Sequence, residues 1–152
     1  MFSAADAATK AKIKKIVVPE TIKIIGQKCF EGLTNLETLE MAEGVETIGD
    51  YFISKTKISE LTIPNSVKRF SSYKLLNSDW STNNYLTKIN IGSGAPASDI
   101  GPLGYPYYLP NLKSYGATPD SGFIEVDGIL YTDEGKTLYA VPKAKDLTDW
   151  EV

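Results

Sequence analysis

LETLEMAEGVETIG, residues 36–49, sets Leu36, Leu39, Met41, Val45 and Ile48 at apolar positions and closes on Gly49. Leu39 and Met41 are separated by one residue, the period of a strand with one buried face. Glu43 with Gly44 then signals a turn, and Val45 with Ile48 forms a second apolar pair. Twenty-three residues earlier the same roles fall to Ile13, Ile16, Val18, Ile22, Ile25 and Gly26. A stretch that recurs with its apolar positions kept reads as one turn of a solenoid.

Working outward, the strand positions continue in Ile58, Leu61 and Ile63, then Leu86, Ile89 and Ile91, and more weakly in Leu112, Tyr115 and Ala117. Spacings between copies are 23, 22, 28 and 26 residues. Polar or small residues stand between the apolar ones, as in Glu37 with Thr38 and Thr87 with Lys88. Pro19 with Glu20 and Pro64 with Asn65 repeat the turn signal, and Val67 with Phe70 repeats the second pair. Gly26 or Gly49 then opens a segment containing Phe30 or Phe52, where one or two turns of helix are expected. A single copy cannot bury its own apolar residues, whereas stacked copies do so collectively. Leu39 and Leu61 are therefore expected to be buried and Thr38 to face outward.

The whole chain, 152 residues with 42% hydrophobic and 23% charged side chains, reads as one globular domain. Sixteen basic against nineteen acidic residues give a net charge of −3, which supplies no field for phosphate backbones or anionic lipid. Nucleic acid is not an expected partner. The absence of histidine removes the commonest proton shuttle and the commonest metal ligand together. The lone Cys29 cannot form an internal disulfide and stands where a small core residue is expected, so it reads as a core thiol with no base beside it. MFSAADAATKAKIKK has no apolar run of signal-peptide type, and no membrane-inserting segment is read anywhere. Either the chain is cytoplasmic or a signal lies upstream.

Within that domain, residues 1–12 read as a leader or an N-terminal cap, with Ser3 and Asp6 as candidate helix caps. Residues 13–118 carry the repeats. Ile100 with Gly101 restores the apolar–glycine pair in the fourth copy, but Pro102, Pro106 and Pro110 discourage a helix, so the outer segments of the third and fourth copies are expected to be irregular loops. Residues 123–142, FIEVDGILYTDEGKTLYAVP, read as a β-hairpin turning at Asp133, Glu134 and Gly135. Residues 143–152 look like the start of a further, truncated repeat.

VVPETIKIIGQKCFEGLTNLETLEMAEGVETIGDYF resembles the leucine-rich repeat of the BspA-like type, whose pattern joins an LxxLxLP-like strand to VxxIGxxAF. The match is tight over residues 13–70 and looser over 71–118; VDGxLYxxxGKTLxxxP also resembles a hairpin found in such proteins. The resemblance implies an α/β solenoid, a right-handed superhelix of about five turns. A parallel sheet would line one face, short helical or irregular segments the other, and a hairpin would lie near the C-terminus. It further implies a non-enzymatic module for protein binding or adhesion in a cell-surface or secreted protein, with a protein or glycan as ligand. The alternative is a structural spacer or accessory repeat domain of a larger protein.

Stacking the strands brings Lys14, Glu37, Ser59, Thr87 and Lys113 into one outward column and Lys15, Thr38, Glu60, Lys88 and Ser114 into the next. A third contains Val17, Glu40, Thr62, Asn90 and Gly116. Glu37, Glu40, Glu60, Lys88 and Asn90 are candidate partner-binding residues; a solvated, charge-balanced face accounts for them as well. Aromatic residues gather in the expected loops: Tyr73, Trp80 and Tyr85, then Tyr105, Tyr107 and Tyr108. They suit docking or sugar stacking, or equally covering the outer core. Asp120 with Glu125, and Asp133 with Glu134, are the nearest approach to acid–base pairs, and neither converges in a pocket. No catalytic residue, metal ligand or cofactor site is assigned.

Overall fold

Strands form where apolar and polar residues alternate. The computed structural model describes residues 6–71, 85–94, 109–142 and 144–145. After a single helical turn, α1 (Ala7–Lys10), come β1 (Lys15–Val18), β2 (Ile24–Ile25), β3 (Thr38–Met41) and β4 (Thr47–Ile48). They are followed by β5 (Glu60–Thr62), β6 (Arg69–Phe70), β7 (Lys88–Ile91) and β8 (Ser114–Ala117). The inner strands stack in parallel in the register that the repeat demands. Ile16 pairs with Leu39 and Val18 with Met41, while Leu61 pairs with Ile89 and Ile89 with Tyr115. Between these two groups β3 and β5 lie side by side, and the Lys57 N–H donates to Leu36 O at 2.8 Å.

Inward positions form one continuous core. Leu36, Ile58, Leu61, Ile63, Leu86, Ile89 and Ile91 are completely buried, Leu39 nearly so, and Thr38 is exposed. Burying each such side chain contributes about 1.5–3 kcal/mol, which no isolated turn obtains. Tyr115 occupies the Leu position of the last turn; burial, then charge repulsion from Tyr139, pushes its phenol well above the ordinary value.

The second apolar pair makes a ladder of its own. Ile25, Ile48 and Phe70 point into the core from β2, β4 and β6, which pair in parallel as Ile24–Thr47–Arg69 and Ile25–Ile48–Phe70. Beyond it the segments around Phe30 and Phe52 are successions of turns, and the expected helix is absent from both. The cause lies in where the amides go. Lys28, Phe30 and Gly32 donate to Asp50, Phe52 and Ser54 of the next turn at 2.8–2.9 Å, while Cys29, Glu31 and Leu33 donate three residues back. Half of the N–H groups thus bond between turns, which an α-helix forbids. Lys28, Tyr51 and Lys55 adopt positive φ, an uncommon conformation for non-glycine residues that this ladder holds in place.

At the N-terminal end, Asp6 caps α1 by accepting from the Thr9 N–H at 2.7 Å, and that bond holds its carboxyl below the usual value. The helix itself buries no residue. It is tied back by Asn35 Nδ2, which donates to Ala11 O at 2.8 Å. Ser3 lies outside the described residues, as do most of the third and fourth outer segments and all of the truncated repeat but Ala144 and Lys145, of which the Ala144 N–H donates to Leu112 O at 2.9 Å.

The expected hairpin is present and is part of a larger unit. β9 (Ile124–Val126), β10 (Ile129–Thr132) and β11 (Thr137–Ala140) form a three-stranded antiparallel meander. Glu134 and Gly135 at positive φ turn β10 into β11 as expected. The first arm of the expected hairpin is split into two strands by Asp127 and Gly128, with φ of 51° and 78°. An Asp-Gly pair between alternating runs signals a tight hairpin, so this turn was legible in the sequence. The Gly128 carbonyl accepts from the Tyr115 N–H at 2.8 Å, which fixes the meander to β8.

Candidate functional site

On β5, β7 and β8 the outward residues are Glu60, Thr62, Lys88, Asn90, Ser114 and Gly116, arranged by the same register that buries Leu61, Ile89 and Tyr115. Glu60 and Lys88 are direct partners, 3.2 Å apart. Asn90 Nδ2 donates to Glu60 Oε1 at 2.8 Å and to Thr62 Oγ1 at 3.0 Å. On its far side Asn90 lies over Gly116, where an added Cβ would sit 3.1 Å from Asn90 Cγ and closer still to Oδ1. Only the missing side chain at 116 lets the amide lie flat there. The result is a pre-ordered polar platform on an open sheet face.

Its electrostatics follow from these contacts. The hydrogen bond from Asn90, and next that from Lys88, hold the Glu60 carboxyl below its ordinary value of 4.5. A depressed carboxylate contributes at neutral pH and loses its contribution as pH falls through the folded-state value. In an NMR titration of the side-chain carboxyls Glu60 is expected to titrate below 4.5, and Asn90→Ala to move it back up. An unchanged midpoint in that variant would show that the amide does not hold the carboxylate.

The remaining candidates are placed as follows. Glu40 bridges to Lys15 at 2.6 Å across β1 and β3, with both side chains about half exposed, an arrangement worth little to stability. Glu37 is exposed, with no ion pair among the described residues. Tyr85 is exposed just ahead of β7. Trp80, Tyr105, Tyr107 and Tyr108 lie outside the described residues, as does Tyr73. The structure therefore brings Glu60, Lys88 and Asn90 together and leaves Glu40 in a separate pair. Thr62 and Gly116, which complete the platform, share a column with Asn90 in the sequence pattern; that column was the signal for them.

A second polar ladder runs along the turns that follow the strands. The Glu43 carboxylate accepts from the N–H groups of Asn65 and Ser66 at 3.1 and 2.8 Å. Asn65 Oδ1 accepts in turn from the Ser93 N–H at 2.9 Å and from Thr118 Oγ1 at 2.7 Å. Each side chain satisfies a backbone group of a later turn, a structural role. Cys29 is half-buried against the core, and burial pushes its thiol up, away from the reactive thiolate. Among the described residues no group of three or more Cys, Asp or Glu could hold a metal ion, and no helix is long and apolar enough to cross a membrane.

Parallel inner strands repeated every 22 to 28 residues, with an LxxLxL core and turns on the outer side, define a leucine-rich repeat solenoid. Residues 5–97 match the family model of the BspA type leucine rich repeat region (6 copies), and the chain belongs to that family. A leucine-rich repeat protein from Eubacterium ventriosum ATCC 27560 is similar in structure, with a TM-score of 0.58 and 17% sequence identity, over 93% of this chain and 44% of that one. The pneumococcal vaccine antigen PcpA aligns with a TM-score of 0.45 and 20% identity, over 88% of this chain and 38% of that one. This chain thus spans less than half the length of either structure. No curated protein matches the sequence.

Proposed function

We propose that the chain is a non-enzymatic binding module of a cell-surface or secreted protein, serving adhesion or protein–protein interaction through its sheet face and the adjoining aromatic residues. The observation that carries this reading is the platform of Glu60, Lys88, Asn90 and Thr62. Its polar groups are held in fixed geometry on an exposed face, so a ligand would meet pre-oriented donors and acceptors at low entropic cost. Membership of a repeat family whose sheet faces often bind supports it. A protein or a glycan is the expected ligand, with Tyr85, Trp80, Tyr105, Tyr107 and Tyr108 as stacking groups from the loops and Glu37 and Glu40 at the margin. The carboxylates of Glu40 and Glu60 are engaged by lysines on an open surface, an arrangement suited to recognition rather than proton transfer.

The mutual neutralisation of those same charges favours a second reading, a rigid spacer whose face is only solvated. The full chain probed against a glycan array and a panel of purified extracellular-matrix proteins separates the two. Under the first, at least one interaction appears and Glu60→Gln with Asn90→Ala weakens it about tenfold or more, equivalent to about 1.4 kcal/mol. An interaction indifferent to those changes and to Tyr105→Ala, Tyr107→Ala and Tyr108→Ala combined would remove both proposed sites. No interaction at all would leave the spacer.

A further inference from the structure

The outward positions of β5, β7 and β8 form two rows, Glu60–Lys88–Ser114 and Thr62–Asn90–Gly116. Strands lie about 4.8 Å apart and alternate residues about 7 Å apart along a strand, so the rows cover about 10 by 7 Å, the footprint of one or two sugar rings. Internal bonds leave a definite set of groups for a ligand. Both N–H groups of the Asn90 amide are spent on Glu60 Oε1 and Thr62 Oγ1. Asn90 Oδ1 and Glu60 Oε2 accept nothing from the described residues. The Lys88 ammonium gives one donor to Glu60, and the Thr62 hydroxyl, which accepts from Asn90, donates to no described residue. Free acceptors thus stand on one diagonal, Glu60 and Asn90, and free donors on the other, Thr62 and Lys88.

Resting on the sheet-face reading set out above, we propose that this platform takes a neutral carbohydrate, held through two adjacent hydroxyls. A hydroxyl both donates and accepts, and the crossed diagonals satisfy both roles at once. Each hydroxyl of the pair donates to Asn90 Oδ1 or Glu60 Oε2 and accepts from the Lys88 ammonium or the Thr62 hydroxyl. Charge points the same way. Glu60 and Lys88 neutralise one another at 3.2 Å, so an ion attracted by one is repelled by the other. Their side chains stay about half exposed, unlike the desolvated pocket that seats the aromatic or arginine anchor of a protein partner. Tyr85, exposed three residues ahead of Lys88, stands within about 10 Å along the chain and offers a ring to a second sugar. Gly116 keeps the set in place. The nearest atoms that a Cβ there would meet are all side-chain atoms, of Asn90 and Lys88, and its φ is not positive. The backbone would admit alanine, so the absent methyl group serves the Asn90 amide.

The test is an NMR titration of the full chain with lactose, maltose, cellobiose and mannobiose, and with a sialylated and an amino-sugar counterpart of whichever binds. At least one neutral disaccharide is expected to give saturable shifts confined to the amides of β5, β7 and β8 and to the Asn90 side chain. The charged counterparts should bind about tenfold more weakly, and a rise to about 0.5 M salt should change the neutral sugar's affinity by less than about twofold. Gly116→Ala and Asn90→Ala should each weaken binding about tenfold, as should removal of either of two adjacent sugar hydroxyls, which leaves a platform group unpaired. No saturation with any of the four, shifts that map elsewhere, tighter binding of a charged counterpart, or indifference to Asn90→Ala would overturn the proposal. A purified matrix protein that binds through Glu60 and Asn90 while no sugar does would overturn the carbohydrate alone and leave the sheet-face site standing; binding of neither would remove both. If Gly116→Ala disturbs the fold, Asn90→Ala and the deoxy sugars decide the matter.

Discussion

Gly49→Ala is expected to destabilise the fold by about 3 kcal/mol, while Gly26→Ala, the same change at the same position of the repeat, is expected to be neutral or to stabilise by up to about 1 kcal/mol. Neither glycine has a positive φ, so backbone strain is not the difference. What differs is the neighbouring turn. A Cβ on Gly49 would sit 2.7 Å from Gly26 C and 2.9 Å from Gln27 Cα, and nearer still to Gln27 N, all of them backbone atoms that cannot rotate away. A Cβ on Gly26 meets nothing within 4 Å, because no turn among the described residues packs against it as the first turn packs against Gly49. To admit the methyl group at 49 the first two turns must separate, which strains the bonds from Gly49 N to Ile25 O and from Lys28 N to Asp50 O, both 2.8 Å. Urea denaturation of the two variants gives the comparison directly. Equal losses at both positions would mean that turn-to-turn approach does not explain the glycine.

Leu61→Ala should cost about 4 kcal/mol, near the upper end of the range for buried leucine, and Leu39→Ala about 2–5 kcal/mol. Leu61 is completely buried, and its strand is paired directly with β7, where it faces Ile89. Because parallel ladders hold the strands at a set spacing, the walls cannot close over the space a deleted side chain leaves, so the cavity cost adds to the lost transfer energy. Thr38→Ala, on the exposed side of β3, should cost well under about 1 kcal/mol. Ile16 tests the gradient along the stack: it fills the same position as Leu39 in the first turn but is only half-buried, so Ile16→Ala should fall below both leucines. Comparable losses at Leu39 and Thr38 in chemical denaturation would contradict the inward and outward assignment itself.

Much of the candidate site was legible in the sequence once the repeats were aligned, since the columns that contain Glu60 with Lys88 and Thr62 with Asn90 are those found between β5 and β7. The alignment did not reveal which of these neighbours bond. That Asn90 reaches diagonally to Glu60, and lies flat over Gly116, depends on side-chain rotamers and on the offset of the strands. Asp127 with Gly128 is a different kind of miss. The turn signal is local and plainly written, but the apolar residues on both sides of it read as one run.

The sequence by itself determined the inner strands, their parallel register and the residues of the core, because each follows from a short-range period that must be obeyed in every turn if its apolar residues are to be buried. Only the tertiary structure decided how the outer side is built. The segments around Phe30 and Phe52 have the composition of short helices, yet N–H groups of the first donate to carbonyls of the second at 2.8–2.9 Å, and bonds between turns depend on the stacking distance rather than on local propensity. The same distance separates Gly49 from Gly26. Identical in the repeat pattern, they differ because Gly49 is approached by the backbone of the preceding turn, while among the described residues nothing approaches Gly26.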